Sequence, residues 1–260
     1  GTTAAAALLD NDWLLIIGNA MQENSNAPTP KIGQPVKKNN FCQIIRTPFD
    51  LSATTDAEKQ KTSEQERQRL TRKKGVEHRI DLERAILFGE KKEDTTGGQV
   101  RRAMGGILSF ITTNVYDAGG LLTESEFETS FCEALFRYGS SRKLLLCAAR
   151  VLSVLNLIAA GKLQTVPRQE VYGLQIQRYL SAHGELLLAK SNLLEKEYGN
   201  HALGLDIANI TYRPLRGRDT KLKRNIQNND VDGFMDEYIT EAGLKVELEK
   251  THAVLKNVTG

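Results

Sequence analysis

The stretch from Ala57 to Gly89 constrains the fold most, because it contains no proline and only one interior glycine, Gly75. A glycine inside a helix costs about 1 kcal/mol relative to alanine, which a long helix can absorb. Opposite charges recur three or four residues apart, as in Glu66 and Arg69 or Asp81 and Arg84, and such pairs support a helix. Apolar residues are dense only from Ile80 to Phe88. The sequence therefore predicts one long helix that is anchored at its C-terminal end and exposed, or between subunits, elsewhere.

An alternating segment precedes this helix and predicts a strand. From Phe41 to Leu51, the mainly apolar odd-numbered residues alternate with Cys42, Ile44, Arg46, Pro48 and Asp50. Pro48 cannot donate a hydrogen bond to a ladder, so the strand belongs at an edge or in a two-stranded ribbon. We expect a turn at residues 37–40 that pairs residues 32–36 with residues 41–51 as a hairpin. Such a ribbon, polar on both faces, would need another surface to lie on.

The remaining chain mixes helices and strands without a repeat. Thr123 and Glu126 form a capping-box pattern that begins a helix, and Gly139 ends it. The other expected elements are a buried strand at 144–149, a helix at 150–160, and strands at 172–180, 185–190, 203–212 and 244–248. Residues 90–106 are expected to be a polar, glycine-rich connection. The predicted class is α+β.

Charge and cysteine content narrow the class of protein. The 260 residues carry 35 basic and 32 acidic side chains. This excess of basic residues is smaller than a dedicated nucleic-acid-binding protein usually shows. Cys42, Cys132 and Cys147 form no C-x-x-C pair, which is typical of a protein made in a reducing cytoplasm. No apolar run reaches the roughly 18 residues of a membrane span, so we expect neither a signal peptide nor a membrane partner.

Candidate catalytic motifs fail on spacing. His78-Arg79 and Asp81-Leu82 approach the H-R-D-L of a kinase loop, but Ile80 intervenes and the segment is predicted to be helical. The four histidines stand far apart, without the spacing of a zinc site. Neither a nucleophile-elbow nor a phosphate-loop motif occurs. We therefore expect no enzyme, no cofactor and no metal.

Two basic clusters leave alternatives open. One lies within the long helix among acidic residues, where solvated ion pairs are the simpler interpretation. The other is opposed only by Asp219 and is the better candidate for phosphate contact; its members are Arg213, Arg216, Arg218, Lys221, Lys223 and Arg224. The segment lacks the interleaved aromatic residues of single-strand binders. A solvated loop or ion pairs with a neighbouring copy are the simpler interpretation of this segment.

Several short motifs, in order along the chain, resemble the major capsid (major head) proteins of tailed bacteriophages, which have the Hong Kong 97-type fold. The ribbon pattern N-x-x-Q-I-x-R is matched by Asn40, Gln43, Ile44 and Arg46. The later matches are R-x-D-x-E-x-A-x-L at 79–87, G-G-x-L-S-F-I-x-T-N at 105–114, H-G-x-L-x-L at 183–188, Y-R-P-L at 212–215 and the ending at 238–253. The matches cover roughly residues 40–258; Cys147-Ala148-Ala149-Arg150 departs from the family's usual turn.

The resemblance implies a domain plan. Residues 1–30 would be an N-terminal arm, 31–56 an extension loop (a β-hairpin), 57–117 and 207–260 the peripheral domain with the spine helix, and 118–206 the axial domain. The extension loop would contact a neighbouring subunit through Phe41, Gln43, Ile45, Arg46 and Phe49. The spine helix would form ion pairs through Arg72, Lys73, Glu77, Arg79, Asp81 and Glu83.

The resemblance also implies a function. Many copies would assemble through pentamers and hexamers into an icosahedral phage head around packaged double-stranded DNA, within the virion and after synthesis in the bacterial host cytoplasm. Portal, scaffolding or decoration proteins would be further partners. The alternative is a nucleic-acid-binding protein that uses residues 213–224.

Overall fold

The structure is a computed structural model that describes residues 18, 20–30, 32, 34, 36–57, 65–158, 163–171 and 174–259. The chain forms two units, residues 1–38 and residues 39–260. In the first unit, the described residues form no helix or strand, and a turn closes where Ser25 N donates to Gln22 O at 3.2 Å. The apolar segment Trp13–Ile17 lies outside the described residues.

The second unit mixes helices and strands, as the sequence predicts. In chain order the elements are β1 (Gln43–Ser52), α1 (Ala53–Ala57), α2 (Glu66–Phe88), β2 (Lys92–Asp94), β3 (Arg101–Ala103), α3 (Ile107–Phe110), β4 (Val115–Leu121), α4 (Glu124–Glu126), a π-helical segment (Phe127–Cys132), α5 (Glu133–Phe136), β5 (Arg142–Cys147), α6 (Ala149–Ile158), β6 (Leu163–Val171), β7 (Leu174–Leu180), β8 (Glu185–Lys190), β9 (Ala202–Leu205), β10 (Ile210–Pro214), β11 (Lys221–Lys223), β12 (Gly233–Val246) and β13 (Ala253–Thr259). Short 3-10 turns precede β9, β10 and β13.

Two sheets organise these strands. The first has four strands in the order β1-β12-β10, with β11 also pairing β12, and all its pairs are antiparallel. The second has seven strands in the order β4-β13-β9-β5-β8-β7-β6. The sheet that contains most of residues 118–206 therefore also takes in the C-terminal strand β13.

The long helix and the capping box are confirmed. Helix α2 covers Glu66–Phe88 of the predicted helix, Ala57 belongs to α1, and residues 58–64 lie outside the described residues. At Thr123 the hydroxyl accepts from Glu126 N at 3.3 Å and the Glu126 carboxylate accepts from Thr123 N at 3.0 Å. This pair begins the run α4 to α5, whose Phe127 and Phe131 are buried in the core.

The predicted hairpin is wrong. Strand β1 pairs along its whole length with β12, from Gln43 opposite Ala242 to Ser52 opposite Gly233, and not with residues 32–36. The described residues among these, Ile32, Gln34 and Val36, lie in no strand. Alternation along β1 signals a strand, but its partner lies far along the chain, and a single sequence does not encode such a pairing locally. As expected from Pro48, β1 is an edge strand.

Three further boundaries differ from the predictions. The predicted strand at 203–212 is two strands, because residues 206–209 turn and carry the chain from one sheet to the other. The predicted last strand ends at Val246, where Leu248 adopts a positive φ of 48°, and β13 follows. Residues 90–106 contain the short hairpin β2–β3.

The main core lies between the seven-stranded sheet and the helices. It includes Phe127, Phe131, Leu145, Leu188 and Leu255, each nearly or fully buried. The C-terminal part of α2 joins this core through Leu87, while Leu82, Ala85, Ile86 and Phe88 pack against it in part. The C-terminal end of the long helix is therefore anchored as predicted. The expectation that the rest is exposed or between subunits is wrong at His78, which is fully buried within its own chain.

Candidate functional site

The described histidines and cysteines do not form a reactive centre. Within the described ranges, no three His, Cys, Asp or Glu side chains are close enough together to hold a metal ion. Cys132 and Cys147 are buried, and burial raises the pKa of Cys132 to about 12 and that of Cys147 further still. A thiol held protonated in this way is a poor nucleophile.

His78 ties the long helix to the inner face of the four-stranded sheet. The side chain is fully buried, with Nδ1 2.8 Å from the Thr47 hydroxyl and Nε2 2.7 Å from the Thr240 hydroxyl. Its ring stacks on Tyr238 at 5.8 Å between centroids. Burial lowers the pKa of His78, with Asp81 opposing the effect. The residue that suggested a kinase loop is therefore a packing and hydrogen-bonding residue.

The family motifs that lie far apart in sequence meet at the C-terminal end of α2. The Asn40 side chain donates to Gly105 O at 2.9 Å and to Leu244 O at 2.8 Å, and accepts from Gly105 N at 2.8 Å. A Cβ on Gly106 would lie 2.5 Å from Gly89 N, so the two backbone segments can approach only because both residues are glycine. These motifs therefore hold together the segment before β1, the C-terminal end of α2, the loop before α3 and strand β12.

Four of the five predicted neighbour-contact residues face the inside of their own chain: Phe41, just before β1, and Gln43, Ile45 and Phe49 on β1. Phe41 lies under Lys91 Nζ at 5.0 Å, the Gln43 side-chain Oε1 accepts from Met104 N at 3.1 Å, and Phe49 packs on Tyr238 at 6.3 Å between centroids. Ile45 shares this half-buried face, whereas Arg46 is exposed on the other. Contact with a neighbouring copy stays a prediction, and Arg46 is the member best placed for it.

The outer edge of β1 carries backbone groups that no described strand pairs. Leu215 N donates to Glu241 O and Glu241 N donates to Arg218 O, each at 2.9 Å, so odd-numbered residues of β12 point their backbone groups toward β10 and β11. Even-numbered residues of β12 then bond to β1, through odd-numbered β1 residues such as Ile45 opposite Thr240. The even-numbered β1 residues, including Pro48, point outward, so its missing N–H costs the ladder nothing.

Charges on the outer face of this sheet are paired. Glu237 is only 2% exposed because Arg46 and Lys223 lie over it; Arg46 Nε donates to its carboxylate at 2.7 Å and Lys223 Nζ lies 3.5 Å from it. Arg218 pairs with Glu241 nearby. The outer face is therefore built from ion pairs around carboxylates of β12, with Ile44 exposed among them.

The basic segment 213–224 splits into two groups. Arg218 and Lys223 pair with carboxylates of β12, and Lys221 Nζ donates to Gly217 O at 2.8 Å. Arg213, Arg216 and Arg224 are also exposed. Ion pairs within the chain, which the sequence interpretation did not include, account for part of this segment.

The predicted spine-helix pairs are placed as follows. Glu77 pairs with Lys74 at 2.7 Å and Asp81 with Arg84 at 3.2 Å, while Arg72, Lys73, Arg79 and Glu83 are exposed on the helix surface. Sequence spacing missed the pair that joins the helix to the sheet. Arg67 donates to both Asp236 oxygens, at 2.9 and 2.7 Å, although 169 residues separate the two. No local signal could have found it.

Among the described residues, no helix combines the length and apolar character needed to cross a membrane.

The sequence matches a known protein family over nearly its whole length. The sequence profile of the family described as SU10 major capsid protein matches residues 2–259. The chain is 23% identical over 239 residues to the major capsid protein of Pseudomonas phage PaMx41, a match that covers 86% of the chain and 57% of that protein. The chain thus spans a little over half the length of this curated relative.

Solved structures show the same fold at low identity. The SrpI encapsulin of Synechococcus elongatus PCC 7942 aligns with a TM-score of 0.57 and 12% identity, covering 84% of this chain and 74% of that one. The capsid of Myoviridae phage XM1 aligns at 0.55 and 9%, covering 84% and 74%. The satellite phage P4 procapsid aligns at 0.52 and 9%, covering 97% and 82%.

These likenesses identify the Hong Kong 97-type fold, as the motifs predict, and give no support to the nucleic-acid-binding alternative. A family profile that spans nearly the whole chain shows membership. The chain therefore belongs to the SU10 major capsid protein family, whose members are structural components of phage virions and not enzymes.

Proposed function

We propose that many copies of this chain assemble, through pentamers and hexamers, into an icosahedral phage head that encloses double-stranded DNA. The match of the family profile to residues 2–259 is the observation that carries this proposal. The Hong Kong 97-type fold of residues 39–260 supports it. Portal, scaffolding and decoration proteins are the further partners that the family suggests.

The proposal assigns roles to segments of the chain. Residues 1–30 serve as an arm and residues 31–56 contact a neighbouring subunit, through the unpaired edge and outer face of β1. Residues 118–206 lie around the symmetry axes, and residues 57–117 and 207–260 form the peripheral domain. The outer edge of β1, which no described strand pairs, supports the second role, because such an edge readily accepts contact from another chain.

The near-balanced charge suits a container for DNA. A strongly cationic wall would hold phosphates at many points at once, and copy number would multiply that attraction. With a net charge of +3 per subunit, the wall offers little such attraction. Release of DNA from filled shells should therefore show no steep dependence on salt concentration.

Negative-stain microscopy and light scattering of the purified protein test the assembly function. We expect closed shells or capsomers of uniform size. A protein that stays monomeric at every concentration and ionic strength, and in cells that produce it at high level, would overturn the proposal.

Two matched substitutions test the interface separately. Ile44 on the outer face of β1 is 53% exposed, and Ile207, on the turn between the two sheets, is 56% exposed. Ile44→Lys should leave the melting temperature unchanged and reduce the yield of shells at least tenfold, whereas Ile207→Lys should assemble normally. Normal shells from Ile44→Lys would refute the role of β1 and leave the assembly function standing.

A further inference from the structure

Three connections that link the two halves of the second unit meet at one place. Residues 111–114 lead from α3 into β4, residues 206–209 from β9 of the seven-stranded sheet to β10 of the four-stranded sheet, and residues 247–252 from β12 back to β13. Each is short and irregular. The relative orientation of the two sheets therefore depends on how these connections are fixed to one another.

Polar bonds join the three connections. The Glu249 carboxylate accepts from Thr112 N at 2.8 Å and from Thr113 N at 2.7 Å. The Asn114 side chain donates to Lys250 O at 2.8 Å and to His252 O at 3.0 Å. Between the other two connections, Glu247 N donates to Asn209 O at 2.8 Å. All three connections are thus hydrogen-bonded through residues 247–252.

His252 lies at the centre of this arrangement, and its bonds fix its protonation state. The side chain is fully buried. Its Nδ1 accepts from the backbone N–H of Asp206 at 3.1 Å, so Nδ1 carries no proton. Nε2 then carries the proton and points at Glu247 O, at 3.3 Å. A single neutral tautomer of His252 therefore bonds to both connections between the two sheets, residues 206–209 and residues 247–252.

The charges around His252 come from three sides. Burial lowers its pKa; Asp206 and Glu249 oppose this, and Lys143 adds to it. Lys143 itself is buried and donates to Leu135 O, Tyr138 O and Thr251 O at 2.6 to 2.8 Å. The Asp206 carboxylate accepts from Ser140 N at 2.9 Å. The imidazole thus lies near the carboxylates of Asp206 and Glu249 and the buried ammonium of Lys143, and each of these charged groups is hydrogen-bonded to other residues.

Protonation would break the bond that Nδ1 makes. An imidazolium has a proton on both nitrogens and cannot accept from Asp206 N–H, so two donors would face each other in a buried site. His78 differs, because both its partners are hydroxyl groups that can turn and accept. Its hydrogen bonds survive protonation, whereas the bond that His252 Nδ1 accepts from Asp206 N–H does not.

We propose that His252 is an acid-sensitive latch that holds the connections 206–209 and 247–252 together when neutral and releases them when protonated. The ligand is a proton, and the element released is the turn 247–252 with the connection 206–209. The two sheets then become free to change their relative orientation. The latch belongs to the single subunit, so it does not depend on the assembly function.

Hydrogen exchange read by mass spectrometry tests the latch on the full chain. We compare protection factors, corrected for intrinsic exchange, at about pH 7 and about pH 5 for the amides of Asp206, Glu247 and His252. Wild type should lose protection at least tenfold at the lower pH. His252→Asn, whose side-chain oxygen can still accept from Asp206 N–H but does not titrate, should show no such loss.

His183→Asn is the matched control, since His183 is exposed in the turn before β8. It should respond to pH as wild type does. Equal protection in wild type above and below the pH at which His252 titrates, or the same loss in His252→Asn, would overturn the proposal.

Exchange at the imidazole carbon of His252 gives a readout on wild type alone, in case His252→Asn does not fold. The loss of amide protection should follow the titration of His252. Loss at a pH where His252 is still neutral would equally refute the latch.

Discussion

Gly75 lies directly against Tyr238: a Cβ on Gly75 would be 3.0 Å from the Tyr238 hydroxyl oxygen and 3.2 Å from the ring carbon that bears it. The tyrosine cannot move away easily, because its hydroxyl donates to Thr71 O at 3.1 Å and its ring stacks on His78. The one glycine inside the long helix therefore leaves the space that the Tyr238 side chain of the sheet occupies.

Gly75→Ala should destabilise the subunit even though alanine favours a helix by about 1 kcal/mol over glycine. Overpacking of a rigid contact typically costs about 1–3 kcal/mol and should outweigh that gain. Urea unfolding measures the change. In a Tyr238→Phe background, which removes the nearest atom, the same substitution should cost clearly less. An equal cost in both backgrounds would contradict this account.

Arg67 and Asp236 should form the most stabilising ion pair between helix and sheet. Asp236 is 2% exposed, and it also accepts from Asn225 N at 2.9 Å. Arg67→Ala would leave a buried carboxylate without its cation, which typically costs about 3–5 kcal/mol. Arg67→Lys should recover only part, because lysine cannot make the two parallel bonds.

Arg84→Ala is the control for this pair. Arg84 and its partner Asp81 are both about half exposed on the same helix. Its removal should change the free energy of unfolding very little. Similar losses for Arg67→Ala and Arg84→Ala would refute the importance of burial at Asp236.

The N–H groups of β1 alternate in direction, so proline should have different effects on stability at even-numbered and odd-numbered positions. Pro48→Val adds an N–H at the outer edge and should change subunit stability by no more than about 1 kcal/mol. Ile45→Pro removes a donor that bonds to β12 and leaves an acceptor unpaired, which should cost at least about 2 kcal/mol more than Ile45→Ala. Thermal unfolding measures all three. If Pro48→Val proved the more damaging, the assigned hydrogen-bonding edge would be wrong.

The sequence reveals local features well and distant partners poorly. The end of the long helix, the capping box at Thr123 and the edge character of β1 are all visible within a few residues, because periodicity, caps and proline act locally. The pairing of β1 with β12 and of Arg67 with Asp236 joins residues far apart along the chain. No alternation or spacing encodes such partners. Asn40 and Gly105 belong to separate sequence motifs, and only the structure shows that they bond to each other.

Acid should destabilise the subunit before its aspartates titrate. Burial lowers the pKa of His78 from the ordinary 6.5, so the unfolded chain takes up a proton at this site more readily than the folded one. The stability that neutral His78 contributes is complete above about pH 6.5 and is lost as the pH falls through that value toward the lower pKa of the folded state. His252 adds a loss of the same sign.

His78→Gln should flatten this dependence in urea unfolding between about pH 7 and about pH 5, because glutamine does not titrate in that range. The variant is also expected to be less stable at neutral pH, since it loses the stacking on Tyr238. Protection at the turn 247–252 should still fall with acid in this variant, because His252 is unchanged. A pH dependence as steep as that of wild type would show that His78 does not carry the effect.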